Sequence, residues 1–311
     1  MKKEENTMTK KIAVINDLSG FGRCSLTAAI SVISAMGIQA CPLPTAILTA
    51  QTGYPHYYLD DYTDKMDIYR QEWQKMGQHF DGIYTGFVAS EAQIDQIFHF
   101  IDTFYTSDTF LLVDPVMGDD GIKYDMFTPK LLEKMNALVG EADIITPNLT
   151  ELCLLTDADY DAIIDIADTR ILIDVIGELA STLLPPDSDN SNTLDSRQTS
   201  KKEKEIIVTG IHCKNEHGQK MMGNLYVSKD TRKLFAFPHV GGSYSGTGDL
   251  FASCIAAGKC RGDGIPELIQ LSGTFLEQAI KDSAEENVPY PDGTNYEKYL
   301  YMLIKNRVLT L

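Results

Sequence analysis

The chain has 311 residues, with 27 Lys and Arg against 44 Asp and Glu, a net charge of −17. With 43% hydrophobic and 23% charged residues it has the composition of a globular protein with a large core, not of a disordered or fibrous one. So acidic a chain excludes a general nucleic-acid-binding face and docking on an anionic membrane, while a local basic pocket for phosphate stays compatible with it.

Residues 1–11 are charged, but no apolar run of signal-peptide length follows, and no window reaches the ~18 apolar residues of a membrane span. The six cysteines, Cys24, Cys41, Cys153, Cys213, Cys254 and Cys260, form no CxxC pair and read as reduced thiols in a cytoplasmic protein. In chain order, residues 11–15 predict a strand, 25–36 a helix closed by Gly37, 46–49 a second strand and 82–86 a third. A helix is expected from Ser90, a cap candidate with Gln93 behind it. Further strands are expected at 110–113, 143–146 and 205–209, two antiparallel strands within 221–238, and helices over 265–310. Short apolar strands separated by helices predict an α/β fold, a mostly parallel sheet covered on both faces. The stretch 185–204 is almost without apolar residues and predicts a mobile polar insertion within one domain, and residues 1–10 a tail.

In open parallel sheets ligands sit at the carboxyl ends of the strands. The polar residues there, Asn16 and Asp17, Thr85 and Gly86, Asp114, Thr146 to Asn148, and Thr209 and Gly210, are therefore expected to converge on one edge. The stretch richest in chemistry is 241–254, GGSYSGTGDLFASC, where a glycine-rich turn runs into a helix. Free N–H groups and the helix dipole make such a start an anion site, and glycine lets a phosphate approach closely. Asp249 has two readings there: a favourable first-turn acid, or a general base that takes a proton from an attacking hydroxyl while the N–H groups hold the charge on a transferred phosphoryl. No GxxxxGK[ST] and no dinucleotide GxGxxG occurs. Asp114, Asp119, Asn148 and Glu151, near neighbouring strand ends, suit a hard cation such as Mg²⁺ on a nucleotide. Asp114-Pro115 also reads as a turn, and Asn148 with Glu151 as a helix capping box. Tyr54, Tyr57, Tyr58 and Tyr62 form either a flap or an edge segment, and Arg23 and Lys123 are candidate phosphate contacts by proximity alone.

Asp114-Pro-Val-Met-Gly-Asp119, Thr146-Pro-Asn148-x-x-Glu151, Gly246-Thr-Gly-Asp249-Leu-Phe-Ala and Gln51-Thr-Gly-Tyr54 together resemble the ribokinase-like superfamily, and within it the pyridoxal kinases. The order and spacing agree along nearly the whole chain. The resemblance implies a three-layer sandwich that phosphorylates the hydroxymethyl group of pyridoxal, pyridoxine and pyridoxamine from ATP in vitamin B6 salvage. It makes Asp249 the base and Gly246, Thr247 and Gly248 the anion hole. It puts Asp17, Thr52 and Phe87 around the pyridine ring, Asp114, Asn148, Glu151 and Thr209 around ATP, and Asp119 and Glu151 near Mg²⁺. A monovalent cation, K⁺ or Na⁺, is common near the anion hole in the family, and a homodimer is the family expectation. Asp17 stands where the family often has Ser, and Phe87 where many members have Tyr. The related hydroxymethylpyrimidine kinases usually carry Cys at the position of Asp249; they and a non-catalytic homologue are the competing readings.

Overall fold

The computed structural model describes residues 9–186 and 202–304. A sheet of nine strands runs in the order β11-β10-β9-β8-β5-β4-β1-β2-β3. Its parallel centre is β2 (Gln39–Leu48), β1 (Lys11–Ser19), β4 (Gly82–Thr85), β5 (Phe110–Val113), β8 (Ile144–Ile145) and β9 (Glu205–Lys214). Antiparallel strands close both edges: β3 (Leu59–Asp61) beside β2, and β10 (Lys220–Val227) with β11 (Arg232–Pro238) beyond β9.

Two buried cores lie on the two faces of this sheet. One packs Ile15, Ile83, Val113 and Ile145 under α3 (Glu91–Phe104), α4 (Pro129–Glu141), α5 (Leu149–Thr156) and α7 (Thr169–Ser181). The other packs Ile12, Val14, Leu112 and Ile144 under α1 (Ser25–Ala35), α8 (Thr247–Arg261) and α9 (Ile265–Glu285). The strands are buried from both sides, so they read as continuous apolar runs rather than as alternation. The three-layer sandwich expected from the sequence is present. Among the described residues no helix is long and apolar enough to cross a membrane.

Several elements depart from the sequence pattern for physical reasons. β2 begins at Gln39, not near 46, and contains Pro42 and Pro44. β3 reaches only Ala46 to Leu48, so both prolines lie on an open sheet edge, where a missing N–H costs nothing. The helix α2 (Thr63–Lys75) buries only Met66 among its residues and so shows little apolar periodicity. A small hairpin, β6 (Gly118–Asp119) and β7 (Ile122–Lys123), turns on Asp120 and Gly121 with φ of 48° and 78°. Two positive φ values in a two-residue turn are what an Asp-Gly hairpin uses. The short helix α6 (Tyr160–Ile164) completes the set. After α9 the chain continues as two 3₁₀ segments, Tyr290–Asp292 and Glu297–Leu303. Of the polar stretch at 185–204, residues 187–201 lie outside the described residues, as do residues 1–8 of the expected tail. The end of that stretch is anchored: Lys202 and the buried Lys204 donate to the carbonyls of Thr109 and Val139, at 2.6 and 2.5 Å.

Strand register decides where chemistry can occur. Ile15 lies beside Thr85, Thr85 beside Val113, and Val113 beside Ile145. Beyond them an isolated bridge joins Asn148 to Thr209. The residues that follow, Asn16 and Asp17, Gly86 and Phe87, Asp114, and Thr146 to Asn148, therefore form one polar edge, as expected.

Candidate active site

The start of α8 faces this edge. Gly246, its cap, sits at φ 82° and makes no side-chain cap. A Cβ there would stand 2.1 Å from the carbonyl oxygen of Arg23, so only glycine fits. A Cβ at Gly248 would meet nothing within 4 Å, so the space in front of the helix is open. The first-turn N–H groups of Thr247, Gly248 and Asp249 have no partner within the helix. They point, with the helix dipole, toward that space.

The carboxylate of Asp249 is held at both oxygens: Oδ1 accepts from Asn16 Nδ2 at 3.0 Å and Oδ2 from the Ser25 N–H at 2.8 Å. Burial pushes its pKa up to about 6; the Ser25 N–H and the Asn16 amide pull the other way, and the charge of Asp17 adds to the rise.

Beside α8 lies a cavity of 340 Å³. Its lining includes the polar Thr247, Gly248, Asn148, Thr209 and Asp119 and the apolar Phe237, Phe251, Leu276 and Ile280. A lining with both polar donors and apolar side chains suits the phosphates and the base of a nucleotide. Asn148 and Glu151 form a complete capping box for α5. The Glu151 oxygens accept from the N–H groups of Asn148 and Met117 at 2.7 and 3.1 Å. The Asn148 amide reaches on to the carbonyl of Gly118 at 2.8 Å. This brings the hairpin, and with it Asp119, to the cavity. Asn148→Ala should therefore lower stability by about 1–2 kcal/mol, a lost cap plus an unmet carbonyl. A thermal melt matching the wild type would show that the box does not hold the turn.

The predicted nucleotide residues thus divide. Asn148, Thr209 and Asp119 line the cavity, whereas Asp114 and Glu151 are buried away from it. Asp114 accepts from the Thr146 hydroxyl at 2.7 Å. Burial raises the pKa of both buried carboxyls; the charge of Asp249 adds to the rise at Asp114, and that of Asp114 to the rise at Glu151. Asp119 is exposed and shares the hairpin with Asp120. Among the described residues no three His, Cys, Asp or Glu side chains cluster as a metal cage. A Mg²⁺ ion brought by a nucleotide needs only one or two carboxylates, with phosphates and waters filling the rest. The donor set fits that kind of ion: Asp119 is the exposed carboxylate that would hold it, and Glu151 would act from behind through Asn148.

On the other side of Asp249, Asp17 is buried and accepts from Ser19 Oγ at 2.9 Å, and its carboxyl is raised by burial. Phe87 is half-buried, its N–H bound to Asn16. Thr52 is exposed in the turn after Gln51. Gln51 is the buried member of that turn; it holds the carbonyl of Pro291 at 3.0 Å and the N–H of Gly53 at 2.7 Å. Tyr54 donates to Asp292 at 2.5 Å and packs edge-on against Phe21. Of the tyrosine run, Tyr54, Tyr57 and Tyr58 precede the edge strand β3, with Tyr57 and Tyr58 exposed, and Tyr62 follows it as the cap of α2. Arg23 and Lys123 both have protein partners: Arg23 pairs with Glu297 at 2.6 Å, and Lys123 donates to the Phe127 carbonyl at 2.5 Å. Asn16 and Gln51 carry more of the site than their sequence positions suggest. The one signal for Asn16 was its place at the end of β1.

Phosphoryl transfer to a hydroxyl calls for backbone donors around the moving group, a carboxylate beside them and a separate pocket for the donor nucleotide. Those features on this sheet define a ribokinase-like phosphotransferase. Residues 21–290 match the model of the phosphomethylpyrimidine kinase family, and the chain belongs to that family. Among solved structures, a Bacteroides thetaiotaomicron protein provisionally called a phosphomethylpyrimidine kinase, in a crystal form with pyridoxal, is 34% identical with a TM-score of 0.81, over 95% of this chain and 96% of its own. The pyridoxal kinase of Lactobacillus plantarum shares the fold at 24% identity and a TM-score of 0.76, over 96% of this chain and 97% of its own. A Schizosaccharomyces pombe protein provisionally called a pyridoxal kinase is 28% identical over 194 residues, 61% of this chain and 50% of that protein. The chain thus spans about half the length of that relative.

Proposed function

We propose that this chain is a pyridoxal kinase, a single kinase domain that transfers the γ-phosphoryl of ATP to the hydroxymethyl group of pyridoxal, pyridoxine and pyridoxamine. The observation that carries this is Asp249: a carboxylate with a pKa lifted to about 6, fixed at both oxygens, in the first turn of a glycine-capped helix. Each of its oxygens keeps a lone pair for the substrate hydroxyl. Asp249 takes that proton as the oxygen attacks, and the N–H groups at the start of α8 receive the charge that spreads over the transferred phosphoryl. Asp17, Thr52 and Phe87 bound the pyridine ring; Asn148 and Thr209 hold the nucleotide; Asp114 and Glu151 support that wall from behind. Mg²⁺, held by Asp119, would neutralise the phosphates when bound. The reading draws support from the pyridoxal in the crystals of the Bacteroides relative and from the Asp, rather than Cys, after Gly248.

The second reading is a hydroxymethylpyrimidine kinase, favoured by the description of the matching family. Purified protein with ATP and Mg²⁺ should be offered pyridoxal, pyridoxine, pyridoxamine and hydroxymethylpyrimidine. Turnover of the B6 vitamers well above that of the pyrimidine is the expected result. Preference for the pyrimidine would install the second reading, and ATP binding with no turnover on any of the four would point to a non-catalytic homologue.

A further inference from the structure

The amide of Asn16 is wholly buried at the end of β1. Its Oδ1 accepts from two backbone N–H groups, those of Asp17 and Phe87, each at 2.9 Å. Both partners can only donate, so the oxygen must face them. The NH₂ end is then forced toward Asp249, where it donates to Oδ1 at 3.0 Å. The Gly86 backbone lies close against the amide, since a Cβ there would stand 2.4 Å from Nδ2. One side chain thus ties the carboxylate on α8 to the two segments that carry Asp17 and Phe87.

We propose that Asn16 is the positioning residue of the phosphoryl transfer: it orients the Asp249 carboxylate, keeps it ionised, and locks it in register with the walls of the acceptor site. This rests on Asp249 acting as the base. The ionisable groups that face Asp249 are Asp17 on β1, Cys24 before α1, Tyr84 on β4, Asp114 after β5 and Tyr124 after β7. All five are acids, so none supplies positive charge. Stabilisation of the Asp249 anion falls to two neutral donors, the Ser25 N–H and the Asn16 amide. The Ser25 donor is backbone and is kept when Asn16 is changed, so Asn16 is the adjustable one.

The test is the pH profile of kcat/KM, which reports the base in the free enzyme. In the wild type the acid limb is expected near pH 6. Asn16→Asp keeps an oxygen for the Asp17 and Phe87 N–H groups but replaces the donor with a second acid. Its acid limb should rise by about one unit or more, since hydrogen bonds to a charged group are the strong ones. For a one-unit rise kcat/KM should fall about twofold at pH 7 and about tenfold at pH 5 while KM for ATP stays put, as one pKa unit is a factor of ten in the ionised fraction only below both pKa values. The acceptor is the same for both enzymes, so its own ionisation cancels in the comparison. Should the Asp variant not fold, Asn16→Ser, which is neutral and too short to span to Asp249, gives the same readout. A folded variant whose acid limb stays where the wild type has it would overturn the proposal and leave Asn16 a packing residue. If Asp249→Asn itself turns over like the wild type, the base assignment fails first; if that variant is inactive and the limb does not move, only the role of Asn16 fails.

Discussion

Asp249→Asn should lower kcat by about 10²–10⁴-fold, the range for loss of a positioned general base, with ATP affinity kept or improved. The substitution preserves volume and removes one negative charge from a site that must receive a polyphosphate. Both carboxylate oxygens now face donors, and neither donor can turn round: one is backbone and the other is the Asn16 amide, pinned through its oxygen. An amide at 249 therefore sets its NH₂ against one of them, so one hydrogen bond is lost. Against this, the variant no longer ionises a buried carboxyl. The folded-state pKa of Asp249 lies above the usual carboxylate value. Its contribution to stability is therefore present at low pH and is lost as the pH rises through about 6. The melting temperature of the Asn variant relative to wild type should accordingly rise between about pH 4 and pH 6 and level off above, the span between the usual carboxylate value and the shifted one. Turnover within a few-fold of wild type would remove Asp249 from the chemistry, and a flat difference in melting temperature would show that its carboxyl is not strained by burial.

What could be read from the chain before folding was the part that depends on short-range pattern. The central apolar strands other than β2, the Ser90 cap bonded to the Gln93 N–H, the Asn148–Glu151 box and the glycine turn into α8 are all local, and each stands where the pattern put it. Convergence of the strand ends followed from parallel order alone. The Asn16–Asp249 contact could not be read, because its partners are 233 residues apart and neither has a motif that names the other. The pairing of Gln51 with Pro291 is hidden in the same way, across 240 residues. The inward turn of Glu151 illustrates a different limit. Its spacing fits both a capping box and a cation shell, and only burial shows that its two oxygens are spent on backbone donors. Asp119 reaches the cavity through a hairpin whose Asp120-Gly121 signal was present in the sequence but has only two residues of strand on either side.

Two glycines of the anion turn, two residues apart, should respond in opposite ways to the same added methyl group. Gly246→Ala places a Cβ against the Arg23 carbonyl and the Cys24 backbone, at 2.1 and 2.9 Å, in a left-handed conformation that alanine resists. The contact is backbone on backbone, so no side chain can swing away; α8 must move relative to the turn before α1. A stability loss of about 3 kcal/mol or more, a fall of roughly 5 °C or more in Tm, is expected for strain of this kind. Because that same turn carries the Ser25 N–H, the shift also pulls a donor from Asp249. Gly248→Ala meets no atom within 4 Å and has no left-handed φ, so the fold should accept it at unchanged or slightly higher Tm. The methyl group then projects into the space through which a phosphoryl group must approach the helix N–H groups. A displacement of about 1 Å there costs on the order of 10²-fold in kcat. The pair separates two uses of glycine, one to close the backbone and one to leave room for substrate, and the readouts are a melt and a turnover rate for each variant. Native turnover by Gly248→Ala would mean that the transferred group does not pass in front of this turn, and the acceptor pocket would then have to be sought on another side of Asp249.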